Sequence, residues 1–182
     1  LREVVKELGW DADKTYGYWF DCDETVIIHP NFNKNQFTKD LYMMNTYIGQ
    51  MKYTRNTFFR VSKPFRWYGP VHEFIVCDEK NITSALAENI HVDVKMTGNS
   101  WQGDIPAKYK SHAHVLENYI DNDRKDPRWI FYTAQSYHDS ASLPNNKDEN
   151  EERLRRSLKY YRERTSRPDG YAEEIYYSQF RI

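Results

Sequence analysis

The chain is 182 residues long, which suits one domain, or one domain with an appendage. Its 26 Lys and Arg stand against 27 Asp and Glu, so it lacks the one-sided field of a basic nucleic-acid domain or of an acidic solvating tail. No apolar run approaches the ~20 residues of a membrane span, and the start carries no charged-then-apolar signal segment.

Leu, Ile, Val and Phe make up roughly a fifth of the residues, a share that borders on disordered chains. The 15 Tyr, 9 Phe and 5 Trp argue the other way, because disordered chains are poor in aromatics. Two cysteines without C-x-x-C spacing, Cys22 and Cys77, exclude a disulfide scaffold and a zinc cluster. They read as reduced, half-buried core residues, which fits a cytoplasmic location.

In chain order, Leu1, Val4, Val5 and Leu8 have helical spacing and Gly9 is a stop signal. The chain thus begins inside an element, with no capping residue ahead of it. Tyr16 to Ile28 reads as strand, acidic turn, strand. Residues 31–35 form a loop, and residues 37–48 are ambiguous, with a short helix as one reading. Tyr53 to Val61 is a strand with Tyr53, Thr57, Phe59 and Val61 on one face. Ser62 to Pro64 and Gly69-Pro70 are turns around Phe65–Trp67. Val71 to Cys77 is β-like, and Ile90, Val92, Val94 and Met96 alternate with polar residues as a half-buried strand does.

After about residue 105 the period becomes helical. Tyr109, Ala113, Leu116 and Ile120 define one helix, and Asp126-Pro127 supplies an N-cap and a first-turn proline for the next, which runs to about His138. Ser142 to Asn150 is a polar loop. Glu151 to Arg164 is a helix with Leu154, Leu158 and Tyr161 on its apolar face. Its arginines (153, 155, 156, 162 and 164) read as a solvated, salt-bridged face. His112 and His114 likewise read as solvated. Asp169-Gly170 precedes a last helix from Tyr171 to about Phe180. Ile130, Thr133, Ala134 and Tyr137 sit at tetratricopeptide-helix offsets, although an ordinary helical hairpin explains them equally well.

Asp21, Asp23 and Glu24 follow directly on a strand. Residues two apart in extended chain point the same way, so Asp21 and Asp23 can converge on one point. Two hard oxygen ligands suit Mg2+ or Mn2+, which take further oxygens from water and bound phosphate; the plain alternative is a solvated acidic turn. Two chemistries use such a knot. D-x-D can hold the metal that bridges a nucleotide-sugar diphosphate. D-x-D-x-T, satisfied by Asp21 to Thr25, can instead be the nucleophile loop of a haloacid-dehalogenase-like phosphatase, with Asp21 attacking phosphorus and Asp23 as acid/base.

The segments DKTYGYWFDCDE, FRWYGPVHEF, DPRWIFYTAQSYHDSA and GYAEEIYYSQFRI, in this order and spacing, resemble family 2 glycosyltransferases of the GT-A fold that carry a tetratricopeptide-like helical tail. The resemblance runs nearly end to end. It implies an α/β fold, a partial GT-A-like mixed sheet with helices over residues 1–104, followed by a helical tail over residues 105–182. It also implies transfer of a sugar, with inversion, from a nucleotide-sugar to a glycan, protein or lipid acceptor. Asp21 and Asp23 would hold Mn2+ or Mg2+ and through it the donor diphosphate, and Glu24 would orient a ligand or touch the sugar. His72 and Glu73 match the family's His-Glu pair, with Glu73 as candidate base for the acceptor hydroxyl and His72 holding metal, acceptor or loop. Trp67 and Tyr68 would form a stacking platform for the acceptor, Trp19 belongs to the core, and Asp93 falls at a position that is polar or metal-coordinating in the family. TGNSWQGD departs from the family's glycine-rich version. The nucleotide-binding half that precedes the D-x-D strand in this fold is missing from the sequence. This reading therefore expects a fragment, a partner that supplies that half, or self-association through exposed strand edges. A phosphatase would need Lys80 and Asp121 or Asp123 in its later roles, and a third reading is a non-catalytic helical scaffold with a vestigial acidic turn.

Overall fold

The computed structural model describes residues 1–98, 102–122, 126–141 and 146–182. Packing divides the chain into two units, Leu1–Gly69 with Glu73–Trp101, and Pro70–His72 with Gln102–Ile182. Among the described residues the architecture is mixed α/β, with the strands in the first unit and four of the five α-helices in the second.

The first unit opens with α1 (Arg2–Glu7), which ends before Gly9 at φ 65°. Its Arg2 guanidinium donates to the carbonyls of Val61, Lys63 and Phe65, tying the helix to the turn after a long strand. The strands are β1 (Tyr16–Tyr18), β2 (Glu24–Ile28), β3 (Leu41–Ile48), β4 (Met51–Arg60) and β7 (Ser84–Val94), in the sheet order β1-β4-β3-β7-β2. A separate hairpin joins β5 (Phe65–Tyr68) to β6 (Phe74–Cys77). All pairings in the large sheet are antiparallel except β3 with β7.

Strands β1 and β2 lie at opposite edges of this sheet, yet only residues 19–23 connect them. A flat sheet would set those edges about 19 Å apart, four strand spacings, nearly the full reach of that linker. The linker also folds back on itself, with the Glu24 N–H donating to the Asp21 carbonyl. The sheet therefore curls, and its concave face is the core. Tyr42, Met44, Ala87, Ile90 and Val92 are buried there, with Tyr16 and Tyr18 from β1 and Val26 from β2 packed against the same cluster. Rings of Tyr16, Phe37, Tyr42 and Phe58 interlock by stacked and edge-on contacts, which explains how a chain poor in aliphatic residues fills a core.

Several sequence expectations change here. Residues 41–48 are a central strand, not a helix, because backbone pairing on both sides outweighs a short coincidence of helical spacing. Strand β7 starts at Ser84, six residues before the alternation at Ile90; a bulge with Asn89 at φ 60° breaks the period between the two halves. Val71 to Glu73 lie outside the β5–β6 hairpin, because Gly69 (φ 115°) and His72 (φ 58°) turn the chain through left-handed conformations. Cys22 is exposed and Cys77 half-buried; both are free thiols.

The second unit contains α2 (Ile105–Asn122), α3 (Pro127–Ser140), α4 (Lys147–Thr165) and α5 (Ala172–Arg181). The cap at Asp126 follows the sequence signal, its carboxylate accepting from Arg128 N–H, and two further caps appear, Asp104 accepting from Ala107 N–H and Asn146 from Glu149 N–H. Residues 147–150 are helical, and residues 142–145 of the expected loop lie outside the described residues. Each helix packs on its sequence neighbour. Ala113, Leu116 and Ile120 of α2 are fully buried, as are Trp129, Ile130 and Ala134 of α3. The face of α4 is only partly the expected one: Tyr161 is buried and Arg155, Arg156 and Arg162 are exposed as expected, but Leu154 is exposed, and the buried stripe is Arg153, Ser157, Tyr160, Tyr161 and Arg164. Arg153 donates to the Ser140 carbonyl, and Arg164 pairs with the buried Glu174. His112 is half-buried, its ring edge-on to those of His72 and Tyr109. No described helix is long and apolar enough to cross a membrane.

Candidate functional site

The acidic residues occupy the turn where the two edges of the curled sheet meet. A cleft of about 620 Å3 opens there, lined by Asp21, Cys22, Asp23 and Glu24 from the turn, Ile48 from β3, Tyr53 and Arg55 from β4, and Val94, Thr97 and Gly98 from the end of β7 and beyond. The sheet's curl explains why β2 and β4, which do not pair, both reach it.

The three carboxylates have different environments. Glu24 opens β2, and its side chain is 1 % exposed; it accepts from Asp21 N–H at 3.1 Å and forms a close ion pair with Arg55. Arg55, itself little exposed, stacks its guanidinium 4.3 Å from the centre of the Trp19 ring and reaches Asp21 at 3.7 Å. The Asp21 carboxylate is 65 % exposed at the mouth of the cleft. Burial, then the neighbouring Glu24 charge, push its pKa above the ordinary aspartate value, against the pull of Arg55. Asp23 accepts from Gly98 N–H at 3.2 Å, while its own carbonyl accepts from Lys95 N–H and extends the β2–β7 ladder. A Cβ on Gly98 would stand 2.9 Å from an Asp23 carboxylate oxygen and 3.0 Å from its carbon. Only glycine lets the backbone approach that closely.

One guanidinium thus pairs with Glu24 and reaches Asp21, while Asp23 is held by Gly98. With Glu24 committed to Arg55, Asp21 and Asp23 remain as hard oxygen donors on the cleft. Among the described residues no three His, Cys, Asp or Glu side chains converge as a metal cage. The donor set fits a cation that takes most of its ligands from water or a bound phosphate, as Mg2+ and Mn2+ commonly do.

The remaining expected site residues are distributed around this cleft or apart from it. Trp67 in β5 is 51 % exposed, and its ring lies edge-on to Trp19 at 5.1 Å. Trp19 is only partly buried, and its indole N–H donates to the Asn56 carbonyl. An aromatic pair therefore abuts the Arg55 face of the acidic cleft. Tyr68 contacts the Phe74 ring edge-on, with the Arg66 guanidinium over it. Glu73 is exposed just before β6 and does not line the cleft. His72 groups with the helical unit, where its ring packs 4.6 Å from that of Tyr132. Asp93 lies on the convex face of β7, 3.6 Å from His91. Lys80 does not line the cleft, and residues 99–101 and Asp123 lie outside the described residues.

Sequence reasoning missed Arg55 and Gly98. Arg55 gave a signal, since by alternation it shares a strand face with Tyr53, Thr57 and Phe59. Gly98 gave only its place just after the last strand. A second cavity, about 820 Å3, opens on the concave face between β1 and β2; Tyr16, Tyr18, Val26, Phe32, Phe37 and Phe58 supply its apolar wall. Compared with known proteins, the chain matches no protein-family model and no curated protein.

Proposed function

We propose that this chain acts as a metal-dependent glycosyltransferase of family 2, whose acidic cleft receives the diphosphate of a nucleotide-sugar. The proposal extends to a GT-A-like origin for the sheet unit and a tetratricopeptide-like one for the helices. The supporting observation is the cleft itself, in which Arg55 pairs closely with Glu24 and reaches Asp21 only at 3.7 Å, while Asp21 and Asp23 line a space large enough for a small ligand.

In this reading Asp21 and Asp23 are the residues that would hold Mn2+ or Mg2+. When bound, the ion would neutralise charge on the leaving diphosphate. Arg55 pairs with Glu24 inside the sheet and so fixes the turn that aims its neighbours. Gly98 orients the Asp23 carboxylate by one backbone hydrogen bond and by leaving room for it. The Trp19–Trp67 pair offers the flat apolar face that sugar rings stack on. Glu73 is the candidate base that accepts the proton of the acceptor hydroxyl, and its exposure leaves it open to a ligand.

Binding of Mn2+ with UDP or GDP, followed by electron paramagnetic resonance and calorimetry, tests the reading. The expected result is saturable uptake of Mn2+ strengthened by the nucleotide and lost in both Asp21→Asn and Asp23→Asn. Uptake unchanged in those variants, or absent with either nucleotide, overturns it.

A further inference from the structure

On the convex face of the sheet, away from the acidic cleft, two histidines meet. His29 follows β2 and His91 lies in β7; their rings are diagonal neighbours across the antiparallel pair, with Ile27 opposite His91 and the His29 N–H donating to the Asn89 carbonyl. His29 Nε2 and His91 Nδ1 stand 3.1 Å apart, within hydrogen-bond distance and with donor and acceptor set by the tautomers, with ring centres at 5.1 Å and planes at 35°; a shared metal would replace that hydrogen bond and its proton. Asp93 Oδ1 lies 3.6 Å from the other nitrogen of His91, Nε2. The Tyr47 ring of β3 packs edge-on against the His91 imidazole at 5.2 Å and limits its rotation.

We propose that His29 Nε2 and His91 Nδ1 form a bidentate site for a nitrogen-preferring transition cation of the Zn2+, Ni2+, Co2+ and Cu2+ group. Two imidazole nitrogens at ordinary zinc–nitrogen distances on a tetrahedral ion lie about 3.3 Å apart, close to the separation found here. A metal on Nδ1 of His91 leaves the ring's proton on Nε2, where it faces Asp93. That is the carboxylate–histidine–metal arrangement that fixes tautomer and ring orientation and raises ligand basicity. His29 is exposed, so solvent reaches the point between the two nitrogens, and water supplies the remaining ligands. Soft-to-borderline nitrogen donors disfavour Mg2+ and Mn2+, so the site is distinct in chemistry from the acidic turn. It is also remote from it, since β2 separates His29 from Glu24 by five residues, about 16 Å of extended chain. Bound metal would add a clip between edge strand β2 and β7 to their ladder and to the packing of Val26 on the core.

The site stands independently of the glycosyltransferase reading, and one titration separates the two. Zn2+ and Ni2+ are added to the metal-free chain under calorimetry, with Co2+ absorption spectra reporting nitrogen ligation and the melting temperature reporting stabilisation of the folded state. The expected result is saturable 1:1 binding weakened at least tenfold in both His29→Gln and His91→Gln, and about tenfold in Asp93→Asn. Asp21→Asn, Asp23→Asn and Cys22→Ser leave it unchanged. Circular dichroism verifies that each variant is folded; these side chains are on the surface or partly so. Absence of saturation up to about 1 mM, binding that survives both histidine changes, or binding lost in Cys22→Ser overturns the proposal.

Discussion

Arg164 is the residue whose removal the helical unit should tolerate least. It is fully buried and its guanidinium has three kinds of partner: Glu174 at 3.3 Å, the Arg167 carbonyl at 2.8 Å and the Tyr171 carbonyl at 3.0 Å. These bonds join the end of α4, the connecting turn and the start of α5. Arg164→Met keeps the volume of the stem and removes every donor. It leaves Glu174 with Arg128, at 3.0 Å, and takes the donor from two part-buried carbonyls. Taking one partner from a buried ion pair typically costs about 3–5 kcal/mol. For a domain of this size that is a fall in melting temperature of roughly 12–40 °C. Denaturant unfolding followed at 222 nm, with hydrogen exchange read on α5, measures it. Burial already pushes the Glu174 pKa above its ordinary value against both guanidiniums, and losing one raises it further. A group with a raised folded pKa favours the fold when protonated, so the deficit of Arg164→Met should shrink as pH falls through that pKa. A loss below about 1 kcal/mol, or a deficit that grows in acid, would refute the reasoning.

Three further outcomes follow from individual contacts. Gly98→Ala should displace the Asp23 carboxylate, which a Cβ would meet at 2.9 Å; Mn2+ uptake should weaken about tenfold or more while the melting temperature changes little, and unchanged uptake would count against the cleft geometry. Asp40 accepts from Thr83 N–H at 2.9 Å, from the Thr83 hydroxyl at 2.8 Å and from Arg60 at 3.1 Å. Burial alone would raise its pKa, but the Thr83 bonds, with Lys63 and Arg60, outweigh it and hold it below the aspartate value of 3.8. Its stabilisation is therefore present above that value and lost as pH falls through the depressed one, so Asp40→Asn should cost about 1–2 kcal/mol near neutrality and progressively less in acid unfolding curves. Tyr137 is pushed up to about 12, first by burial and then by donating to Glu117. A raised tyrosine supports the fold fully below its unfolded value of 10.0 and loses that support as pH climbs toward about 12; spectrophotometric titration of Tyr137→Phe should lack one late-ionising phenol.

What the sequence made legible was local. The acidic turn between two strands, the Asp126-Pro127 cap and the Gly9 and Gly170 breaks each depend on a few adjacent residues, and the structure has them where the pattern put them. The misreadings share a different physics. On α4 the assumption that charges face water placed Leu154 inside and the arginines outside. The stripe Arg153, Ser157, Tyr160, Tyr161 and Arg164 has helical spacing too, and it is the one buried, because Ser140, Ala134, Glu117 and Glu174 supply acceptors for it. Polarity alone could not choose between two stripes of equal period; partners distant in sequence chose. Likewise, the bulge at Asn89 hides the first half of β7 from any alternation test.

The acidic turn illustrates how much a role depends on closure of the fold. In sequence, Asp21, Asp23 and Glu24 are three equivalent candidates for a ligand. Once β1 and β2 are brought round to the same rim, Arg55 on β4 comes within reach of β2 and claims Glu24 inside the sheet. That ion pair connects strands that share no ladder, so Glu24 acts in closing the curl. Asp21, reached by the same guanidinium only at 3.7 Å, stays at the mouth, and Asp23 is held from behind by Gly98. The division of labour among three neighbouring carboxylates is thus set by one cation and one glycine, 31 and 75 residues away from the side chains they hold.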